Sequence, residues 1–249
     1  MSLYNPFSLE TKQVLVTGAS SGIGRAVAIE CSKMGAAVII TGRNKNKLEE
    51  TFSLLNQNKN HHLFIADLTK EDDINELVST LPALSGIVNC AGILKKTPLK
   101  FTQKQHINEM LDANLLAPAG LIQKVYKKGL LQDSSSIVFI SSIAAHTASV
   151  GNIAYMASKG ALNSMAKGMA LELSYKKVRV NCIEPALVLT DLSRGALSDE
   201  QLATYEKQIP LARFGTPEEI AYAAIYLLSD ASAWTTGSVI TIDGGVTLK

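Results

Sequence analysis

The sequence is poor in cysteine and tryptophan and has no marked excess of charge of either sign. Its three cysteines (Cys31, Cys90, Cys182) are far apart and form no Cys-x-x-Cys pair. That argues against a metal site or a disulfide framework and suits a reducing compartment. Lysine and arginine number 24 against 22 acids, for a net charge of +2. So small a surplus implies no attraction to nucleic acid or to an anionic membrane. The pairs Lys95-Lys96 and Lys176-Lys177 read as solvated faces. No apolar run approaches the ~18 residues of a membrane span, and the first residues show no secretory-signal pattern. A cytoplasmic protein is expected, with no metal, nucleic-acid or membrane partner.

Apolar residues are plentiful, at 47% of the 249 positions, and their arrangement is informative. Short, continuous apolar runs fall at Gln13–Thr17, Ala37–Thr41, His62–Ala66, Gly86–Asn89, Ser136–Ser141, Arg179–Glu184 and Ser238–Ile242. Helical patterns separate them near Gly22–Met34, Lys45–Asn56, Glu71–Leu81, Gln105–Leu131, Ile153–Tyr175 and Pro217–Leu228. Runs that do not alternate indicate strands buried on both faces, as in a parallel sheet covered by helices. The expectation is a single α/β domain over 1–249. The polar segment Leu187–Arg213 breaks the rhythm and follows a strand, as a substrate lid would. His61 and His62 read as surface residues, and Trp234 as packed near the last strand.

The strongest local signal is Thr17-Gly18-Ala19-Ser20-Ser21-Gly22-Ile23-Gly24, which follows the strand Val14-Leu15-Val16 and opens a helix. Glycines here let the backbone come close to a diphosphate, and the free N–H groups of the helix start meet its negative charge. Tyr155 and Lys159 stand four apart at the start of another helix and share one face. Ser141-Ser142 ends a strand, which places a hydroxyl at the sheet's carboxyl edge, where open α/β sheets bind ligands. Asn89-Cys90-Ala91-Gly92 ends another strand with small residues. Asn114 lies within a helical stretch among Leu111, Leu115 and Leu116, either capping something internal or serving a function.

These residues occur in one order and spacing: the glycine loop, Asp67-Leu68, Asn89-x-Ala91-Gly92, Asn114, Ser142, Tyr155/Lys159 and Asn181-x-x-x-Pro185. They continue with Arg213-x-Gly215-x-Pro217 and Ile242-Asp243-Gly244-Gly245. In this the chain resembles the short-chain dehydrogenase/reductase family over nearly its whole length, with terminal motifs most like the 3-oxoacyl-carrier-protein reductases. The resemblance implies a Rossmann-type doubly wound sheet of about seven strands in the order 3-2-1-4-5-6-7. It implies Tyr155 as the acid that protonates a ketone oxygen while a reduced nicotinamide delivers hydride. Lys159 would lower the phenol's pKa and hold the nicotinamide ribose. Ser142 would orient the carbonyl oxygen, and Asn114 would anchor a water that relays protons. Ser141 would be structural.

The dinucleotide would be held by Gly18, Ser20, Ser21, Gly22, Ile23, Gly24, Arg43, Asn44, Asp67, Leu68, Asn89, Ala91, Gly92, Val188 and Thr190, together with Tyr155 and Lys159. NAD-preferring enzymes place an acid after the second strand. Here Thr41-Gly42-Arg43-Asn44 carries none before Glu49, and a guanidinium suits a 2′-phosphate. NADP(H) is therefore expected over NAD(H), although Ser21 stands where many NADP-using relatives have a basic residue. Cys90 and Ala186 depart from the family's usual asparagine and glycine, and the second departure predicts an altered loop path. The matching positions for carrier contact are Asp133 and Lys176, of which one is basic.

The substrate read from this is a small carbonyl compound, such as a 3-oxoacyl thioester. A keto-sugar or nucleotide-sugar is the other enzymatic reading; no arginine pair marks a phosphate or carboxylate site, though Arg194 and Arg213 are available. A dinucleotide-binding regulator without catalysis is the non-enzymatic one. His146 reads as a loop histidine or, alternatively, a substrate contact. The small residues Ala157, Ala161, Ser164 and Gly168 would allow close helix packing, so a homotetramer is expected, with a dimer as the smaller option.

Overall fold

A computed structural model of the chain describes residues 4–190 and 198–248. Arg194 and the middle of the expected lid lie outside these residues.

Seven strands form one parallel sheet in the order β3-β2-β1-β4-β5-β6-β7, as expected. They are β1 (Gln13–Thr17), β2 (Ala37–Gly42), β3 (His62–Ile65), β4 (Leu84–Asn89), β5 (Leu131–Ile140), β6 (Arg179–Pro185) and β7 (Val239–Ile242). The helices are α1 (Gly22–Lys33), α2 (Lys45–Ser53), α3 (Glu71–Thr80), α4 (Lys104–Leu111), α5 (Ala117–Lys127) and α6 (Ile153–Glu172), followed by Asp199–Gln208 and Pro217–Leu228.

Side chains alternate across the sheet and make two cores. On one face Val14, Val16, Val38, Ile40, Val88 and Val138 pack with Val27 and Cys31 of α1 and with Ile220, Ala224 and Leu228 of the final helix. On the other face Leu15, Ile39, Ile87, Ile137, Phe139 and Val180 pack with α3, α5 and α6 through Leu77, Leu121, Val125 and Leu162. Burying each such side chain stabilises the fold by roughly 1.5–3 kcal/mol.

The chain runs outward through β2 and β3, then returns to place β4 on the other side of β1. This reversal leaves a crevice at the carboxyl ends of β1 and β4. The final helix starts with a capping box: the Thr216 hydroxyl accepts from the Glu219 N–H and the Glu219 side chain accepts from the Thr216 N–H, with Pro217 in the first turn. Such a start fixes where the helix begins.

Several expectations need correction. The helix read as Gln105–Leu131 is α4, a π turn over Asp112–Leu116, and α5, ending at Lys127. The cause is local. Pro118 has no N–H to offer Asn114, and the Ala117 N–H reaches back five residues to the Asp112 carbonyl. Strand β5 begins at Leu131, five residues before the expected start. Its first part is polar and exposed, so no apolar run announced it. His61 is buried: its Nδ1 accepts from the Val38 N–H at 3.0 Å and its Nε2 meets the Asn56 carbonyl at 2.8 Å. Trp234 is fully exposed. Ala186 has no positive φ and donates its N–H to Ile242, continuing the β6–β7 ladder, so alanine is accommodated there without strain.

Candidate active site

A cleft of about 400 Å3 opens at the crevice between β1 and β4. The glycine loop forms its floor. Gly18 has φ +64°, and a Cβ there would lie 2.8 Å from the Ala91 backbone. Glycine thus lets the loop after β1 touch the loop after β4. A Cβ on Gly24 would lie 2.3 Å from the Gly18 carbonyl oxygen, so only glycine lets α1 begin this close to the strand. At the start of α1 the N-cap Ser21 makes no side-chain cap bond, and the first turn holds no acid. A helix start left without its own anionic or hydroxyl cap fits a diphosphate.

The expected cofactor residues Gly18, Ser20, Ser21, Gly22, Ile23, Gly24, Arg43, Asn44, Asp67, Leu68, Ala91, Gly92 and Thr190 line this cleft. Arg43 is exposed at its mouth. The Asn44 side chain accepts from the Lys47 N–H at 3.0 Å and so caps α2. Asp67 accepts from the Thr69 N–H at 3.1 Å and the Thr69 hydroxyl at 2.7 Å. Burial pushes the Asp67 carboxyl up, but the two Thr69 bonds and the Arg43 guanidinium together hold it below the usual range.

Asn89, Val188, Tyr155 and Lys159 are not part of the lining. Asn89 is buried beneath the cleft, and among the described residues neither of its amide atoms has a hydrogen-bond partner. Val188 bridges to Gly215. The cleft adds Gly42, Lys47 and Thr69, which sequence reading missed. A Cβ on Gly42 would lie 2.5 Å from the Ser20 hydroxyl, and its place just before Arg43 was the available signal. Lys47 lies in the first turn of α2, just past Arg43, and that place at the helix start was the signal there.

The chemistry-bearing residues gather beside the cleft. The Ser142 hydroxyl lies near enough to the Tyr155 phenol to oppose the rise of its pKa, and it accepts from the Ala144 N–H at 3.2 Å. The Lys159 ammonium is buried, donates to the Ile140 carbonyl at 2.8 Å and lies 5.7 Å from the Tyr155 ring centroid. Ser141 is tied into the scaffold by its N–H to Ile183 and its hydroxyl to the Lys159 carbonyl. Asn114, in the π turn, accepts from the Ile93 N–H at 2.8 Å and donates to the Ile93 carbonyl and the Ser158 hydroxyl, both at 3.0 Å. Its side chain therefore pins the loop after β4 to α6. Missing the Pro118 N–H, its carbonyl has no i+4 donor.

Burial raises the Tyr155 pKa above its usual value, with the nearby Ser142 hydroxyl opposing. Lysine 159 is not among the groups lowering it, in contrast to the sequence expectation. Burial instead pushes Lys159 itself down to about 8. Desolvation thus reverses the order of the two groups and drives their proton affinities apart, the phenol now above the ammonium. The phenol keeps its proton while the ammonium is easily deprotonated.

Three comparisons bear on this arrangement. A family model described as Enoyl-(Acyl carrier protein) reductase matches residues 18–247. The chain is similar to a 3-oxoacyl-[acyl-carrier-protein] reductase of Mus musculus, at 36% identity over 95% of this chain and 98% of that protein. It is similar to an NAD-dependent glycerol dehydrogenase of Listeria innocua, at 31% identity over 98% and 96% of the two chains. Among solved structures it resembles a short chain dehydrogenase family protein from Francisella tularensis, with TM-score 0.84 and 34% identity, covering 96% of this chain and 99% of that one.

Proposed function

The chain belongs to the short-chain dehydrogenase/reductase family and is an NAD(P)-dependent oxidoreductase; on that premise we propose that it reduces the ketone of a 3-oxoacyl thioester, or of a similar small carbonyl compound, using NADPH. The observation that supports this best is the meeting of Ser142, Tyr155 and Lys159 beside a cleft built for a dinucleotide.

When bound, the reduced nicotinamide supplies the hydride. The chain supplies everything else. Tyr155, kept protonated by burial, donates its phenolic proton to the carbonyl oxygen. Ser142, beside that phenol, orients the same oxygen. Lys159 holds the nicotinamide ribose and, when charged, stabilises the phenolate left behind. Asn114 fixes the loop after β4, and its carbonyl anchors a water that returns a proton toward Lys159. The glycine loop with Ser20 and Ser21 holds the diphosphate, Asp67 and Leu68 the adenine end, and Asn89, Ala91 and Gly92 the ribose side. Val188 and Thr190 would contact the carboxamide and diphosphate end, with the 187–213 segment as the substrate lid of a single catalytic domain. Arg43, without a neighbouring acid on its strand end, favours a 2′-phosphate and hence NADPH.

The substrate is proposed as the thioester itself. Lys176 pairs with Asp133 at 3.6 Å, so those two positions do not form a basic patch for an acidic carrier. We place the enzyme in the cytoplasm as a homotetramer. The supporting feature is the outward line Ala157, Ser164 and Gly168 on α6, with Leu171 and Tyr175 exposed beside it. Similarity to a glycerol dehydrogenase favours a second reading, oxidation of a small polyol.

Mixing the protein with NADPH and an acetoacetyl thioester tests the first reading. Loss of the reduced-nicotinamide absorbance is expected. No loss in a sample that binds NADPH would reject that substrate class, and reduction of NAD with glycerol would select the second.

A further inference from the structure

Glu184 is a carboxylate with 2% exposure at the end of β6. Burying a charge in this way is costly unless donors and a counter-charge surround it. Two hydrogen-bond donors and one ionisable ring do so, each from a different element. The Asn163 amide of α6 donates at 2.5 Å, the Thr241 hydroxyl of β7 at 3.4 Å, and His146 Nδ1 lies 3.2 Å away. Among the described residues His146 is the one group within ion-pair distance that can carry positive charge.

The placement of these partners is informative. His146 lies four residues after Ser142, on the loop that follows β5. Asn163 lies one helical turn after Lys159. Glu184 itself leads directly into Pro185 and the lid. Asn163 has no other polar contact among the described residues: its Oδ1 is buried without a partner, so the carboxylate alone orients its amide. The polar network thus joins the three elements that bear Ser142, Tyr155/Lys159 and the lid, and it touches neither cleft nor phenol.

We propose that Glu184 is a positioning residue, which fixes the Ser142 loop against α6 through His146 and Asn163. The proposal rests on the reading of Ser142, Tyr155 and Lys159 as the reacting groups. It assigns His146 a tethering role in place of a substrate contact.

Hydrogen exchange of the amides between Ser142 and Gly151 tests it in Glu184→Ala, His146→Ala and the double variant, with NADPH affinity measured alongside. Each single variant is expected to exchange about tenfold faster in that loop, and the double no faster than Glu184→Ala, because that variant already removes the His146 link. NADPH affinity stays at the wild-type value, while kcat on the acetoacetyl thioester falls about tenfold with little change in KM. Glu184→Gln, which keeps the acceptor and loses the charge, falls between. Should Glu184→Ala fail to fold, His146→Ala on its exposed loop carries the same test. Loop exchange within twofold of wild type in His146→Ala, or effects that add in the double variant, would overturn the proposal. Absence of turnover in the wild type would instead strike the substrate reading and leave the exchange result intact.

Discussion

The two halves of the carboxyl sheet edge are built on different principles. The half formed by the ends of β1, β2 and β4 is made largely of backbone: glycines at 18, 24 and 42 where a Cβ would collide, and a helix start without a cap of its own. The half formed by β5, α6 and β6 is made of side chains: Ser142 beside Tyr155, Lys159 on Ile140, and Glu184 on His146 and Asn163. A backbone site binds a ligand by shape and dipoles and is preorganised by sterics. A side-chain site does chemistry and depends on burial to set its proton affinities. Substitutions should therefore separate binding from turnover, and the order of their effects sharpens the contrast.

The largest effect is expected where the halves meet. Lys159→Met should cut kcat/KM by about 10³-fold and weaken NADPH as well, read from steady-state kinetics and a fluorescence titration. The same variant exposes a linkage. Lys159 has a folded pKa of about 8 against 10.5 unfolded, so between these values the unfolded chain binds more protons and stability should rise with pH. The buried thiols of Cys31, Cys90 and Cys182, all raised by burial, act oppositely above their unfolded pKa of 9.0. The difference between wild type and Lys159→Met in urea unfolding isolates the lysine, and should grow in favour of wild type by up to about 3 kcal/mol across that window.

Next comes Gly24→Ala, which forces a methyl onto the Gly18 carbonyl. A stability loss of about 1–3 kcal/mol and a much weakened NADPH titration are expected. Arg43→Ala should weaken NADPH about tenfold and leave NADH unchanged, measured by paired titrations. An equal loss for both cofactors would break the 2′-phosphate reading. The smallest effect belongs far from both halves. Thr216→Ala removes a cap from the final helix and should cost about 1 kcal/mol in unfolding, with NADPH affinity and turnover intact.

The same contrast governs what could be read from the sequence. The parallel sheet and the glycine cradle were legible, because continuous apolar runs and glycines at fixed steps from a strand are local signals, whereas the strand order came through the resemblance. Tyr155, Lys159 and Ser142 were legible as residues through spacing and resemblance. Their mutual electrostatics were not, since burial is a property of the folded neighbourhood. The π turn at Asn114 follows from Pro118, a local cue that the leucine pattern overrode. His61 looked like surface because it stands between polar residues, yet the Val38 N–H it accepts from belongs to a strand far along the chain. Glu184 gave no signal at all. A lone carboxylate in an apolar run acquires meaning from His146, Asn163 and Thr241, none of them near it in sequence.

The most direct test of the separation is a single-turnover experiment on wild type and Tyr155→Phe. Both would be loaded with NADPH to the same measured occupancy and mixed with an acetoacetyl thioester. Removing one hydroxyl should leave the loading unchanged and slow nicotinamide oxidation by at least about 10²-fold. Oxidation by Tyr155→Phe at the wild-type rate would contradict the assignment of the phenol as the acid, and with it the division of the site into a binding half and a reacting half.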